Sequence, residues 1–272
     1  MAFFYNPATA ARMTKTMDLT ASQNNWIAGI KHNAFSAAFS PANGRFGVFG
    51  VTARNIDYGE SVGTVVAPND NGYVETGTIN PTALSVSLGY ARSLTDRFSV
   101  GGDMGYVVQQ LGQSIVPYGD SLQTKSNIAG GISVDFGTFY YTGWKSLAFG
   151  MSVRNFSGEI KYEDEGFQLP LTFSMGLSMD VMDLLPQKPQ NQSLMLSVDA
   201  LHYRSHPEQV NIGLEYGFMD MFYVRGGYRS SEDIQNVSFG LGLNIKGIVV
   251  DYAYTPTIDF ADAQRFTIAF AF

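Results

Sequence analysis

The last nine residues, Gln264 to Phe272, constrain the fold more than any other stretch. Phe266, Ile268, Phe270 and Phe272 alternate with Arg265, Thr267, Ala269 and Ala271, the period of two that belongs to a β-strand. One face is bulky and apolar, the other small or polar. Such a strand fits a soluble sandwich, in which the bulky face meets a second sheet, or a membrane barrel, in which it meets lipid while the small set faces a lumen.

The same period recurs along the chain. It predicts about fourteen segments of roughly 9 to 13 residues, the length a tilted strand needs to cross a bilayer. The clearest, with their proposed lipid-facing residues, are Ala83 to Arg92 (Leu84, Val86, Leu88, Tyr90), Arg97 to Val107 (Phe98, Val100, Met104, Tyr106) and Ser146 to Arg154 (Leu147, Phe149, Met151, Val153). Thr172 to Asp180 offers Phe173, Met175, Leu177 and Met179, and Gln209 to Tyr216 offers Val210, Ile212 and Leu214. Asn236 to Ile245 (Val237, Phe239, Leu241) and Ile248 to Thr255 (Ile248, Val250, Tyr252, Tyr254) follow. Weaker segments lie near Met17 to Asn24, His32 to Ser40, Arg45 to Arg54, Asn127 to Phe139, Ser193 to His202 and Phe222 to Arg229, and Arg45 to Arg54 can be phased either way.

Connection lengths separate the two architectures. Counting back from Phe272, alternate connections are short: PANGR at Pro41, SLTDR at Ser93, TGWK at Thr142, FMDM at Phe218 and KG at Lys246, with only DLLPQKPQNQ after Met182 running long. The intervening ones, Asn55 to Pro81, Leu111 to Thr124, Phe156 to Pro170 and Arg229 to Gln235, are longer. A sandwich has no reason to sort its loops by parity, whereas an outer-membrane barrel has short periplasmic turns and long outside loops. The aromatics Phe39, Phe46, Tyr90, Phe98, Tyr140, Tyr216, Phe222 and Phe272, beside the short turns, form a candidate interfacial girdle. The expected fold is therefore all-β: a transmembrane antiparallel up-and-down barrel of about 14 strands over residues 1–272, as one domain, with both termini periplasmic.

Composition agrees. The 272-residue chain has 29 Gly, 14% aromatic residues and no cysteine, which suits many strands and excludes a disulfide or thiolate-metal framework. A mean hydropathy of −0.03 is too polar for a bundle of membrane helices, and alternation explains how a membrane protein looks soluble on average. The net charge of −7 argues against nucleic acid as a partner. Met1 to Arg12 lacks a basic start and a long apolar core, so an outer-membrane destination implies a mature or truncated chain. Asn6-Pro7 reads as a capped helix start, which makes residues 1–15 a short periplasmic or lumen-facing segment.

The proposed inward faces carry Asp103, Asp135, Arg154, Asp180, Asp199, Glu215, Arg225, Arg229, Asp251 and Arg265 among many Gly, Ser and Ala. Interleaved signs favour salt-bridged struts over a selectivity path. No catalytic, cofactor or metal site is expected. His202 and His206 straddle a strand end, where an HxxxH spacing does not converge, and His32 and Ser36 sit about 13 Å apart on a strand. GLGLNIKG from Gly240 has the wrong spacing for a dinucleotide loop, and YEDE, Tyr162 to Glu165, lacks calcium-loop spacing. The loop Asn55 to Pro81 contains Val65, Val66, Tyr73 and Val74, and is expected to fold over or into the outer mouth.

A chain ending on an aromatic strand residue resembles bacterial outer-membrane barrels. More specifically, FYNPATAA from Phe4, GRFGVFGVTARNIDYGE from Gly44 and SLGYARSLTDRFSVGGDMGYV from Ser87 resemble the PorV/PorQ-type outer-membrane proteins, related in fold to FadL-like barrels. VDFGTFYYTGWKSLAFGMSVRNFSG from Val134, LSVDALHYRSHPEQVNIGLEY from Leu196 and DYAYTPTIDFADAQRFTIAFAF at the end carry the resemblance over nearly the whole chain. The resemblance implies a fourteen-stranded, non-enzymatic accessory barrel of type IX secretion in the bacterial outer membrane. Its implied partners are the bilayer and lipopolysaccharide, the secretion translocon and secreted cargo domains. The alternative it implies is a FadL-like channel for hydrophobic small molecules.

Overall fold

A computed structural model describes residues 1–118, 121–162, 166–231, 235–258 and 260–272. Its strands are β1 (Met17–Asn25), β2 (Lys31–Phe39), β3 (Val48–Asp57), β4 (Ser61–Val66), β5 (Tyr73–Ile79), β6 (Thr82–Ser93), β7 (Phe98–Tyr118), β8 (Ser121–Tyr141) and β9 (Ala148–Ser157). They continue with β10 (Ile160–Lys161), β11 (Gly166–Phe167), β12 (Thr172–Asp180), β13 (Gln192–Tyr203), β14 (Gln209–Phe218), β15 (Phe222–Arg229), β16 (Val237–Ile245), β17 (Ile248–Thr255) and β18 (Ala263–Ala271).

Fourteen of them close one antiparallel barrel in sequence order, sealed where β1 pairs with β18. Met17 and Phe272 exchange backbone hydrogen bonds of 2.9 and 3.0 Å, so the barrel begins and ends at one rim. The short turns lie at that rim. One is the two-residue Lys246-Gly247 hairpin, whose φ values of 51° and 88° give the primed turn that matches strand twist. Among the described residues no helix is long and apolar enough to cross a membrane, which says nothing against strands doing so.

Facing follows the sequence pattern. Leu88, Met104, Leu241 and Phe266 point outward at 67%, 59%, 60% and 59% exposure. Their neighbours Ser87, Asp103, Gly240 and Arg265 turn inward, because a one-residue step flips the face. The ambiguous Arg45 to Arg54 stretch is phased with Phe49 and Val51 outward and Thr52 buried.

Two expectations are corrected. Leu111 to Thr124, read as a loop, is ladder: β7 and β8 each run 21 residues and stay paired to their tip. The Asn55 to Pro81 loop does not cover most of its apolar residues, against expectation. It forms the β4–β5 hairpin, which pairs with itself and leaves Val62, Val66, Tyr73 and Val74 exposed. Self-pairing satisfies its backbone without the lumen, and at its base Ile79 sits beside the Gly112 bulge of β7. Of the YEDE stretch, residues 163–165 lie outside the described residues.

Candidate functional site: the lumen and its N-terminal plug

The first twelve residues enter the lumen. Asn6 caps a 3₁₀ helix, Pro7–Arg12, by accepting from the Ala8 N–H at 3.1 Å, as the Asn-Pro pair predicts. Its amide nitrogen donates to the carbonyls of Thr138 and Met151 at 3.0 and 3.2 Å, which ties the segment to β8 and β9. Ser152 donates to the Tyr5 carbonyl and Arg154 to the Phe4 carbonyl. At the short-turn rim Arg12 donates to the Asp96 carbonyl at 2.6 Å, and Ser93 donates to that of Ala11.

The wall is shaped to receive this plug. Phe3 is 2% exposed, and a Cβ at Gly50 or Gly89 would collide with its ring. A Cβ at Gly101 would lie 2.6 Å from the Pro7 carbonyl carbon, and one at Gly137 would strike the Asn6 amide. These glycines are inward positions of neighbouring strands. They form a groove because glycine alone lets two backbones approach this closely.

The opposite wall, β13 to β18, meets the plug where Arg265 approaches Tyr5, and it carries a charge bridge. Arg225 lies between Glu215 and Asp251, with N···O distances of 2.5 Å to each. Glu215 is its direct cross-strand partner, whereas Asp251 lies two strands away. The reach passes over β16 at Gly240 and Gly242: a Cβ at Gly242 would lie 2.6 Å from Asp251 Oδ1 and 3.0 Å from Arg225 Nη1. The bridge is a strut between strands.

The other proposed lumen charges are distributed. Asp103 and Asp135 face each other across β7 and β8, and Asp135 accepts from the Asn155 N–H at 2.7 Å. Asp180 lies at the short-turn rim, where it accepts from the Met182 and Leu194 amides and pairs with Lys188 at 2.7 Å. Asp199, Arg229 and Arg265 line a cavity of about 500 Å³ in the half of the lumen nearer the long loops, together with Asn24, Trp26, His32 and Asn211. His202 pairs with Glu208 instead of with His206, and no metal-binding cluster occurs among the described residues. The sequence reading missed Arg54, which projects from β3 with its guanidinium carbon 5.1 Å from the Phe4 ring centroid. The ambiguous phasing of that strand hid it.

Fold and lumen together define a fourteen-stranded outer-membrane barrel with its own N-terminal segment docked inside. The sequence matches the model of the type IX secretion system membrane protein PorP/SprF family over residues 1–267, and the chain belongs to that family. The family is of the type IX secretion class that the sequence strings imply, under the PorP/SprF name instead of PorV/PorQ. Among curated proteins no sequence relative matches. Solved barrels share the fold at low identity. The monoaromatic hydrocarbon channel CymD is 11% identical at a TM-score of 0.61, covering 100% of this chain and 92% of that one. The P. putida toluene transporter TodX is 11% identical at 0.60, covering 100% and 94%. A Pseudomonas aeruginosa FadL homologue is 11% identical at 0.57, covering 98% and 92%.

Proposed function

We propose that this outer-membrane barrel serves type IX secretion without enzymatic activity, in the manner the sequence strings suggest for PorV/PorQ-type proteins, standing beside the translocon and receiving secreted cargo domains. In this reading the short-turn rim and both termini face the periplasm, and the outer wall contacts lipid and lipopolysaccharide. The observation that carries it is the N-terminal plug: a barrel whose lumen is occupied by its own chain is suited to docking rather than to bulk flow. The β7–β8 extension and the β4–β5 hairpin add outward surface at the opposite rim.

The competing reading is a channel for hydrophobic solutes, and the likeness to the hydrocarbon channel CymD favours it. The lumen speaks against it. Its open cavity is lined by amides, charges and hydroxyls such as Asn24, Asn211, Asp199 and Ser197, and an apolar solute gains nothing by leaving water for such walls. The test is affinity capture of the tagged protein from its native membrane, run beside uptake of a monoaromatic hydrocarbon. Translocon components or a secreted domain are expected in the capture, and hydrocarbon uptake without them would reverse the order.

A further inference from the structure

We propose that the upper surface of the plug carries a carboxylate-binding site made by Arg54, Arg154 and Arg265 and reached from the long-loop mouth. The three guanidinium groups come from β3, β9 and β18 and line one cavity of about 220 Å³, whose floor is Phe4 and Tyr5 of the plug. This cavity shares Asn24, His32 and Arg265 with the larger polar cavity above it, so a ligand entering from the mouth reaches it.

The three arginines are positioned without a direct ion pair within 4 Å among the described residues. Arg154 Nη1 donates to the Phe4 carbonyl at 2.9 Å, Arg265 Nη1 lies 3.4 Å from the Tyr5 hydroxyl, and Arg54 stacks over the Phe4 ring. Each guanidinium offers five N–H donors, so most of this capacity is unused. Arg154 Nε is buried with no partner, and so is Nε2 of His32 on the same cavity. Among the described residues no carboxylate lies within 4 Å of any of the three guanidinium groups, unlike Arg225 with its two acids.

The charge nearby selects the ligand class. Asp103 and Asp135 stand on the adjoining β7–β8 wall, and the Met1 amine is matched by Asp18 at 3.8 Å. Three cations against two carboxylates leave about one positive charge, which suits a monoanion better than a phosphate dianion. A carboxylate also accepts from the planar guanidinium fork through both oxygens. The rest of the ligand would lie among Asn24, Asn211, Asn236 and Trp26, side chains that hydrogen-bond and stack on polar chains such as a peptide.

Trp26 gives a reporter. It packs edge-on against His32 at 5.4 Å, and the only other tryptophan, Trp144, sits exposed at the opposite rim. In detergent, the full chain carrying Trp144→Phe is titrated with butyrate, with triglycine and with triglycine amide. Saturable Trp26 quenching is expected with a free carboxylate and not with the amide. It should weaken about tenfold or more in Arg265→Gln or Arg54→Gln, because a hydrogen bond to a charged group is lost, and weaken as salt screens the cluster. Butyrate binding as tightly as triglycine points to a small acid as the source, and tighter triglycine binding to a polypeptide end. Lys188→Gln at the far rim serves as a control and should change nothing. Equal response to triglycine and its amide, absence of binding by either acid, or arginine variants that bind like the parent would overturn the proposal. The acid-against-amide comparison needs no arginine variant, so it decides the matter even if Arg265→Gln fails to fold.

Discussion

Replacing Phe3 by alanine should release the plug while leaving the barrel intact. Phe3 is 2% exposed and lies in a groove walled by Gly50 and Gly89, backbone of a closed sheet that cannot collapse into the space left behind. A Phe→Ala truncation in such a site costs about 3 to 5 kcal/mol. The barrel ladder makes no use of this ring, so the loss falls on docking of residues 1–12. At about 1.4 kcal/mol per power of ten, the undocked population rises by roughly two to four powers of ten. Trypsin reports it: in the docked state Arg12 is held at the Asp96 carbonyl at 2.6 Å, and undocking frees the Arg12–Met13 bond. Folded Phe3→Ala in detergent should be cleaved there far faster than the parent, and its conductance in planar bilayers should rise. Gly50→Ala, whose methyl would occupy the ring's place, should act in the same direction. Equal cleavage of parent and Phe3→Ala, or a fall in barrel melting temperature without faster cleavage, would refute local docking.

Leu241→Arg puts a charge on the lipid face and should cost about 2 to 4 kcal/mol in a folding assay, while lumen-side Ser238→Arg should cost less; equal costs would mean the facing is wrong. Gly242→Val should separate Arg225 from Asp251 and leave the half-buried Asp251 carboxylate without its partner, a loss of about 1 kcal/mol that Asp251→Asn at the same time should partly relieve. For orientation, cysteines at Gly63 or Glu159 should label from outside intact cells and one at Asn43 should not. At the turn after β12, Lys188 holds the Asp183 carboxyl below the usual carboxylate range, by a hydrogen bond first, and is itself raised by Asp180 and Asp183. A lowered carboxyl stabilises above its unfolded pKa, so the tether should loosen as pH falls through the lowered value. The Asp183 carboxyl resonance should titrate below the usual carboxylate range in the parent and move back toward it in Lys188→Met.

Much of the barrel was legible because lipid makes one demand of every strand: a bulky apolar outer face. Leu84, Val86, Leu88 and Tyr90 obey it, and loop-length parity separates the short-turn rim, where β1 begins and β18 ends, from the long-loop rim. The signal stops where the demand stops. Beyond Gln110 the β7–β8 ladder mixes Leu111, Ile115 and Val116 with Gln113, Ser114, Thr124 and Lys125 and keeps no sustained apolar alternation, since above the bilayer neither side must be greasy. The period disappears although the hydrogen bonding continues, and the stretch reads as loop. The lumen was half legible. Glu215 and Arg225 are direct cross-strand partners, so register alone pairs them, but Asp251 joins only because β16 presents glycines between. That Gly50, Gly89 and Gly101 leave space is plain from the sequence; which segment fills it is not, because no local period links residues 1–12 to strands far along the chain.

The two walls of the lumen use glycine to opposite ends, and this difference bears on what passes through. On β3 and β6 to β9 the missing side chains admit backbone, so the plug is held by carbonyl contacts at Thr138, Met151, Phe4 and Tyr5 that a solute cannot replace while the segment stays docked. On β13 to β18 the missing side chains admit charge, letting Arg225 span three strands and stiffen that wall. Water and polar groups therefore have a cavity at the long-loop side, lined by amides, charges and hydroxyls, and the plug reaches only the smaller arginine-lined cavity that joins it. A hydrocarbon path would need that polar cavity lined with side chains like those on the outer wall, whereas a docking barrel needs only a floor that stays in place while something binds from the long-loop side. The distribution of glycine, charge and hydroxyl across the lumen is what supports the proposed docking reading over the hydrocarbon path.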